Sequence, residues 1–214
     1  MDATLNLDTS RALVASRPHR FDPISIAVHW ASAALIAALF ASAWSMALAT
    51  DRVQAERLLT LHRSLGVISW AVAIGRLCWR LLWARVPPLP ASTRTLQRGA
   101  AWLVEYGLYA ILLFQPLTGL AHSLFRGRPF ALFLWEVPKT VARDKALSSL
   151  FERIHGATAW ALLGLVGLHV GAALFHRFVA KDQVLQSMLP WPSSIQKRGR
   201  WSRGGPLQAR NDAT

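Results

Sequence analysis

A chain of 214 residues with 24 Lys and Arg against 11 Asp and Glu has a formal charge of +13, yet 53% of it is hydrophobic and only 16% is charged. Mean hydropathy is +0.28, and the charges cluster between long apolar runs. This distribution argues against a nucleic-acid partner, because arginines flanking apolar segments suit anionic headgroups and the positive-inside rule. Cys78 is the sole cysteine, so no intrachain disulfide can form, and the absence of C-x-x-C-H excludes covalent c-type haem attachment by that motif.

In chain order, residues 1–22 form a polar lead ending in Arg17, His19 and Arg20. With Asp2 and Asp8 and no apolar core, the lead does not read as a cleavable signal peptide. Residues 23–190 contain four apolar segments long enough to span a bilayer. The first helix is predicted from Ile24 to Leu48, without Asp, Glu, Lys or Arg, and with His29 as its titratable group. A charged link carrying Asp51, Arg52, Glu56 and Arg57 follows. The second helix is predicted from Leu58 to Trp83, with His62 and Arg63 near its start and Arg76 and Arg80 near its end. Val86 to Ser92 is proline-rich and stops it. The third runs from Ala101 to Leu124, with a kink expected at Pro116 and Gly119. Arg126 to Arg153 is the longest link, with Phe130, Phe133 and Trp135 expected at the membrane interface. The fourth helix lies within Phe151 to Phe178, and residues 191–214 form a basic tail expected to be disordered.

Orientation follows from the cations. With both termini in the cytoplasm, fifteen of the 24 Lys and Arg residues lie inside, as the positive-inside rule favours. Histidines then fall at matched depths. His155 and His169 are fourteen residues apart in the fourth helix, roughly 21 Å at ~1.5 Å per residue, and within about 40° of one azimuth. His29 pairs by depth with His169 near the inside, and His62 with His155 near the outside. Ionisable groups in a membrane are costly and usually face a bundle interior or a functional site. Two imidazoles facing each other across a flat cavity suit axial ligation of haem iron. The expected fold class is therefore all-α: an integral membrane four-helix bundle with two non-covalent b-type haems between the helices.

The stretches SIAVHW at 25–30, LHRSLG at 61–66, GRLCWRLLWARVPP at 75–88, PLTGL at 116–120, IHG at 154–156 and GLHVGAALFH at 167–176 resemble the prokaryotic cytochrome b561 family. The resemblance covers roughly Arg20 to Pro190. It implies two haem b groups, with ligands on the first, second and fourth helices: His29 and His169 on the inner iron, His62 and His155 on the outer. It also implies a multi-pass protein of the bacterial inner membrane that oxidises an outside donor and reduces ubiquinone or another membrane quinone. Members are associated with superoxide as donor, so the activity implied is that of a superoxide:quinone oxidoreductase.

His176 follows His169 by two turns on nearly the same face and is the candidate quinone contact, the alternative being an interfacial histidine against lipid. Arg76, fourteen residues after His62, is a candidate for a haem propionate or for snorkelling to headgroups. Arg63 and Arg153 stand beside the outer ligands as similar candidates. Gly66 and Gly156 allow a porphyrin close to the backbone, or simply allow helix packing. His122, at the end of the third helix, reads as a solvated histidine. The outer links, with Arg63, Glu152 and Arg153 included, hold nine basic and five acidic residues, a charge suited to steering a small anionic donor. Partners expected are lipid, quinone and that donor or a redox protein, with a homodimer as one arrangement. Two other function classes fit the same features: a haem-bearing anchor subunit of a dehydrogenase or hydrogenase, and a small transporter or scaffold using its histidines for a metal or a proton path.

Overall fold

The computed structural model describes residues 20–84, 86–87, 94–182 and 184–190. The lead up to His19, most of the proline-rich stop and the tail 191–214 lie outside the described residues. Four helices carry the fold: α1 (Pro23–Ala47), α2 (Arg52–Leu82), α3 (Thr95–Phe125) and α4 (Lys145–Phe175). All four are long and apolar enough to cross a membrane. A two-stranded hairpin, β1 (Phe130–Leu132) and β2 (Trp135–Val137), lies in the link before α4. A π-helical turn, His176–Ala180, and a short α5 (Val184–Ser187) follow α4.

Aspartate starts three of the long helices. Asp22 accepts from the Ser25 amide at 2.9 Å, Asp51 from the Gln54 amide at 2.8 Å, and Asp144 from the Leu147 amide at 3.0 Å. Each satisfies a donor that the first helical turn leaves orphaned, and Pro23 adds a pre-set first-turn residue to α1. α3 begins six residues earlier than the predicted Ala101, because the Gln97 side chain accepts from the Arg94 amide at 3.0 Å and closes an extra turn. It also runs on through Pro116.

α1 packs on α2, α2 on α3, and α3 on α4, with Ala73, Leu112 and Leu162 at the centre. That apolar core is small, and many large apolar side chains face outward, among them Trp44, Leu81, Trp102, Trp160 and Leu168. Buried positions include Ser32, Ser42, Ser64, Ser69, Thr118 and Ser123. Small polar side chains inside and apolar ones outside is the distribution of a bundle solvated by lipid.

The two ends differ. On the termini side, the Arg20 guanidinium donates to the Leu189 carbonyl and the Trp30 indole donates to Met188 O at 2.9 Å. On the opposite side stands the hairpin, for which the sequence reading has no strand. Phe130 pairs with Val137 and Leu132 with Trp135, and Phe133 takes a left-handed φ of 55°, as tight two-residue hairpin turns demand. Gly127 (φ +63°) starts this link with the Arg143 backbone 2.5 Å from where a Cβ would stand, so no other residue fits. Ser64 of α2 accepts from the Phe133 amide at 2.7 Å. Of the three aromatics expected at the interface, Phe130 is instead buried, beneath the Arg63 guanidinium 5.0 Å from its centroid. Trp135 and Leu134 are exposed.

Candidate functional site

Antiparallel helices bring the histidines together in two pairs. His29 of α1 faces His169 of α4 with ring centroids 6.0 Å apart. His62 of α2 faces His155 of α4 at 6.2 Å. The first pair lies toward the termini, the second toward the hairpin. Imidazoles hydrogen-bonded directly to each other would have centroids about 5 Å apart. A metal atom between them, bonded at about 2 Å to each nitrogen, sets the centroids roughly 6 Å apart. Both pairs have the wider spacing. Among the described residues no three His, Cys, Asp or Glu side chains converge on one point. Two imidazoles alone leave the equatorial positions to be filled by a macrocycle, which suits haem better than a bare ion.

The surroundings fit such a group. A Cβ on Gly66, one turn from His62, or on Gly156, next to His155, would meet nothing within 4 Å, so a flat ligand has backbone to lie against. His169 is exposed, as a side chain covered by a cofactor would be. His29 Nδ1 is buried with no hydrogen-bond partner among the described residues.

The hairpin-side histidines are held by hydroxyl-bearing turns that the sequence reading does not single out. His62 Nδ1 lies 3.1 Å from the Leu39 carbonyl and 2.9 Å from Ser42 Oγ. His155 Nδ1 lies 3.1 Å from both the Gln115 carbonyl and Thr118 Oγ. In each case the hydroxyl donates back to that same carbonyl, three residues earlier, at 2.8 Å for Ser42 and 2.7 Å for Thr118. With Nδ1 protonated and so engaged, Nε2 is the nitrogen free to ligate. Gly119 completes the setting: a Cβ there would stand 3.0 Å from His155 Cε1. A serine, a threonine and a glycine inside apolar spans are the signal that could have found these positions.

The remaining candidates divide. The Arg76 guanidinium sits 5.4 Å from the Tyr109 ring centroid and is close enough to His29 and His169 to act on both electrostatically. Arg63 donates from Nε to Ser123 Oγ at 3.1 Å and covers Phe130, so part of it serves the hairpin. Arg153 is exposed, with no hydrogen bond to a described residue. His122 is not simply solvated: it is half-buried, and Nδ1 lies 3.0 Å from the Ser148 carbonyl, tying α3 to the first turn of α4. His176 caps α4, and its Nδ1 lies 2.5 Å from Asp182 Oδ2 across the π turn. Asp182 also donates its amide to the His176 carbonyl at 3.1 Å.

The profile of the family described as prokaryotic cytochrome b561 matches residues 20–191. The chain is 32% identical over 179 residues to cytochrome b561 homolog 2 of Escherichia coli (strain K12), covering 83% of this chain and 95% of that protein. It is 29% identical to cytochrome b561 homolog 1 of the same organism, covering 80% and 98%. It is 25% identical to a Yersinia pestis protein named probable superoxide oxidase CybB, covering 84% and 98%.

Proposed function

The chain belongs to the prokaryotic cytochrome b561 family, a membrane electron-transfer family with b-type haem, and on that premise we propose that it carries electrons across the bilayer from superoxide to a membrane quinone. The observation that carries this reading is the two histidine pairs, with ring spacings of 6.0 and 6.2 Å, at opposite ends of one bundle. His29 and His169 would hold one haem b, His62 and His155 the other, and bound haem would supply a reversible one-electron couple. The termini side faces the cytoplasm of a bacterial inner membrane, in keeping with the Lys and Arg count.

On the hairpin side the basic excess of the links draws the anionic donor in. Each superoxide gives up one electron and leaves as dioxygen. On the termini side His176 meets the quinone. Its Nδ1–H is engaged by Asp182, which orients the ring and leaves Nε2 to hand a proton to a quinone carbonyl oxygen. Two superoxides, one quinone and two protons thus become two dioxygens and one quinol. Arg76, 5.4 Å from the Tyr109 ring centroid, would pair with a propionate.

The test is purification in mild detergent with dithionite-reduced minus oxidised spectra and a haem assay. A low-spin b-type spectrum at about two haems per chain is expected. A colourless protein that does not take up haem would sink the reading in favour of a transporter or scaffold. Stable co-purification with a dehydrogenase would replace superoxide by that enzyme as donor.

A further inference from the structure

The two histidine pairs differ in what holds their second nitrogen. Both hairpin-side imidazoles direct Nδ1 at a helix carbonyl and at the hydroxyl three residues on: Leu39 with Ser42 for His62, and Gln115 with Thr118 for His155. The brackets come from different helices, α1 and α3, with the same local geometry. Ser42 and Thr118 are buried, Thr118 to 1% exposure. The termini-side pair has nothing equivalent among the described residues. His29 Nδ1 is buried and unpartnered. Ser32, on the same helix one turn on, spends its hydroxyl on the Val28 carbonyl at 2.7 Å.

We propose that these two brackets set the direction of electron flow, making the His62–His155 site the lower-potential end and the His29–His169 site the higher. This rests on the bis-histidine reading above. An imidazole that donates Nδ1–H to an acceptor is a more basic ligand, and a more basic ligand favours ferric over ferrous iron. Where the same N–H finds no acceptor, that preference is weaker. Charge works in the same sense: Arg76 acts on both His29 and His169, with Glu105 opposing it at His169, whereas at the other site Arg63 acts on His62 alone. One electron therefore runs downhill from the hairpin side to the termini side. The first site is oxidised, the second reduced, and no bond is made or broken. Ser42, Thr118 and their carbonyls are positioning residues, acting through the ligands.

The experiment is a potentiometric titration of the haem-loaded protein in detergent, followed by absorbance. Two one-electron steps are expected. Thr118→Val and Ser42→Ala, which keep every ligand, should each raise the lower midpoint and leave the upper one unmoved. A tenfold weaker preference for the ferric state corresponds to about 59 mV for a one-electron couple. Thr118→Ser, which restores the hydroxyl, should return the lower midpoint, and Ser32→Ala should move neither. His29→Ala should abolish the upper step and His62→Ala the lower one. Two haems with equal midpoints, an upper step that moves in Thr118→Val, or loss of the lower step in His29→Ala would overturn the inference while the bis-histidine reading stands. Absence of haem would overturn both.

Discussion

At the scale of single residues, two positions have effects that follow from one contact each. Gly119 gives His155 its room, and a Cβ there would approach the imidazole to 3.0 Å at Cε1 and 3.2 Å at Nδ1. Overpacking of this kind costs about 1–3 kcal/mol, and here the group with freedom to move is the His155 imidazole, the proposed ligand. Gly119→Ala should lose about one of two haems per chain with the helical signal kept, read by pyridine haemochrome assay and circular dichroism. Asp22 is the other position. Burial raises its carboxyl, but hydrogen bonds from the Ser25 hydroxyl and amide and from the Trp79 indole outweigh that and hold it below the usual 3.8. A group with a depressed folded value stabilises above its unfolded value, about 3.9, and loses that contribution as pH falls through the folded one. Thermal stability of wild type should exceed that of Asp22→Asn at pH 7, and the two should converge as pH falls through the depressed folded value.

At the scale of elements, the π turn and the hairpin are the parts with no counterpart in a plain four-helix reading. The turn is closed by the Asp182 amide on the His176 carbonyl and by the His176–Asp182 side-chain contact. A π turn is a common way to re-aim a helix end at a functional site. Asp182→Asn keeps the size and removes the charge that orients His176. Quinol formation with superoxide should fall roughly tenfold, less than the 10²–10⁴-fold worth of a placed proton donor because His176 itself remains, at unchanged haem content. An equal rate would remove His176 from proton delivery. The hairpin hangs on Ser64 Oγ, which accepts from the Phe133 amide, and on Arg63 over Phe130. Ser64→Ala leaves a backbone N–H without its acceptor, a cost of about 1–3 kcal/mol. Faster hydrogen exchange at 130–137 should follow, with both haems still bound.

At the scale of the whole molecule, exposure and charge together describe its solvent. Leu134, at the hairpin tip, is 99% exposed, and the helices turn tryptophan and leucine outward, so the bundle needs lipid or detergent around it. The hairpin-side links, with Arg63, Glu152 and Arg153 included, hold nine basic and five acidic residues, and on the proposed function this charge would steer an anionic donor over about 10 Å at 0.1 M salt. The second-order rate with superoxide should therefore fall several-fold between 0.02 and 0.5 M salt, as roughly expected for a steered encounter. A flat profile would leave the charge as a lipid-facing rim.

Four spans, the antiparallel order and the pairing of His29 with His169 and His62 with His155 were legible in the chain alone. An apolar run announces its span by length, and a histidine's depth is its distance along a helix of constant rise. Depth pairs residues, but azimuth across a bundle depends on how helices pack, and packing is not written in any one segment. The tertiary structure alone decided that Thr118 of α3 braces His155, and that Gly119 clears its path. It alone moved Phe130 under Arg63, turned His122 onto Ser148, and folded a link into a hairpin. In each case the partner lies more than twenty residues away or in a three-residue strand, and a short polar side chain reveals its role only when another helix comes to meet it.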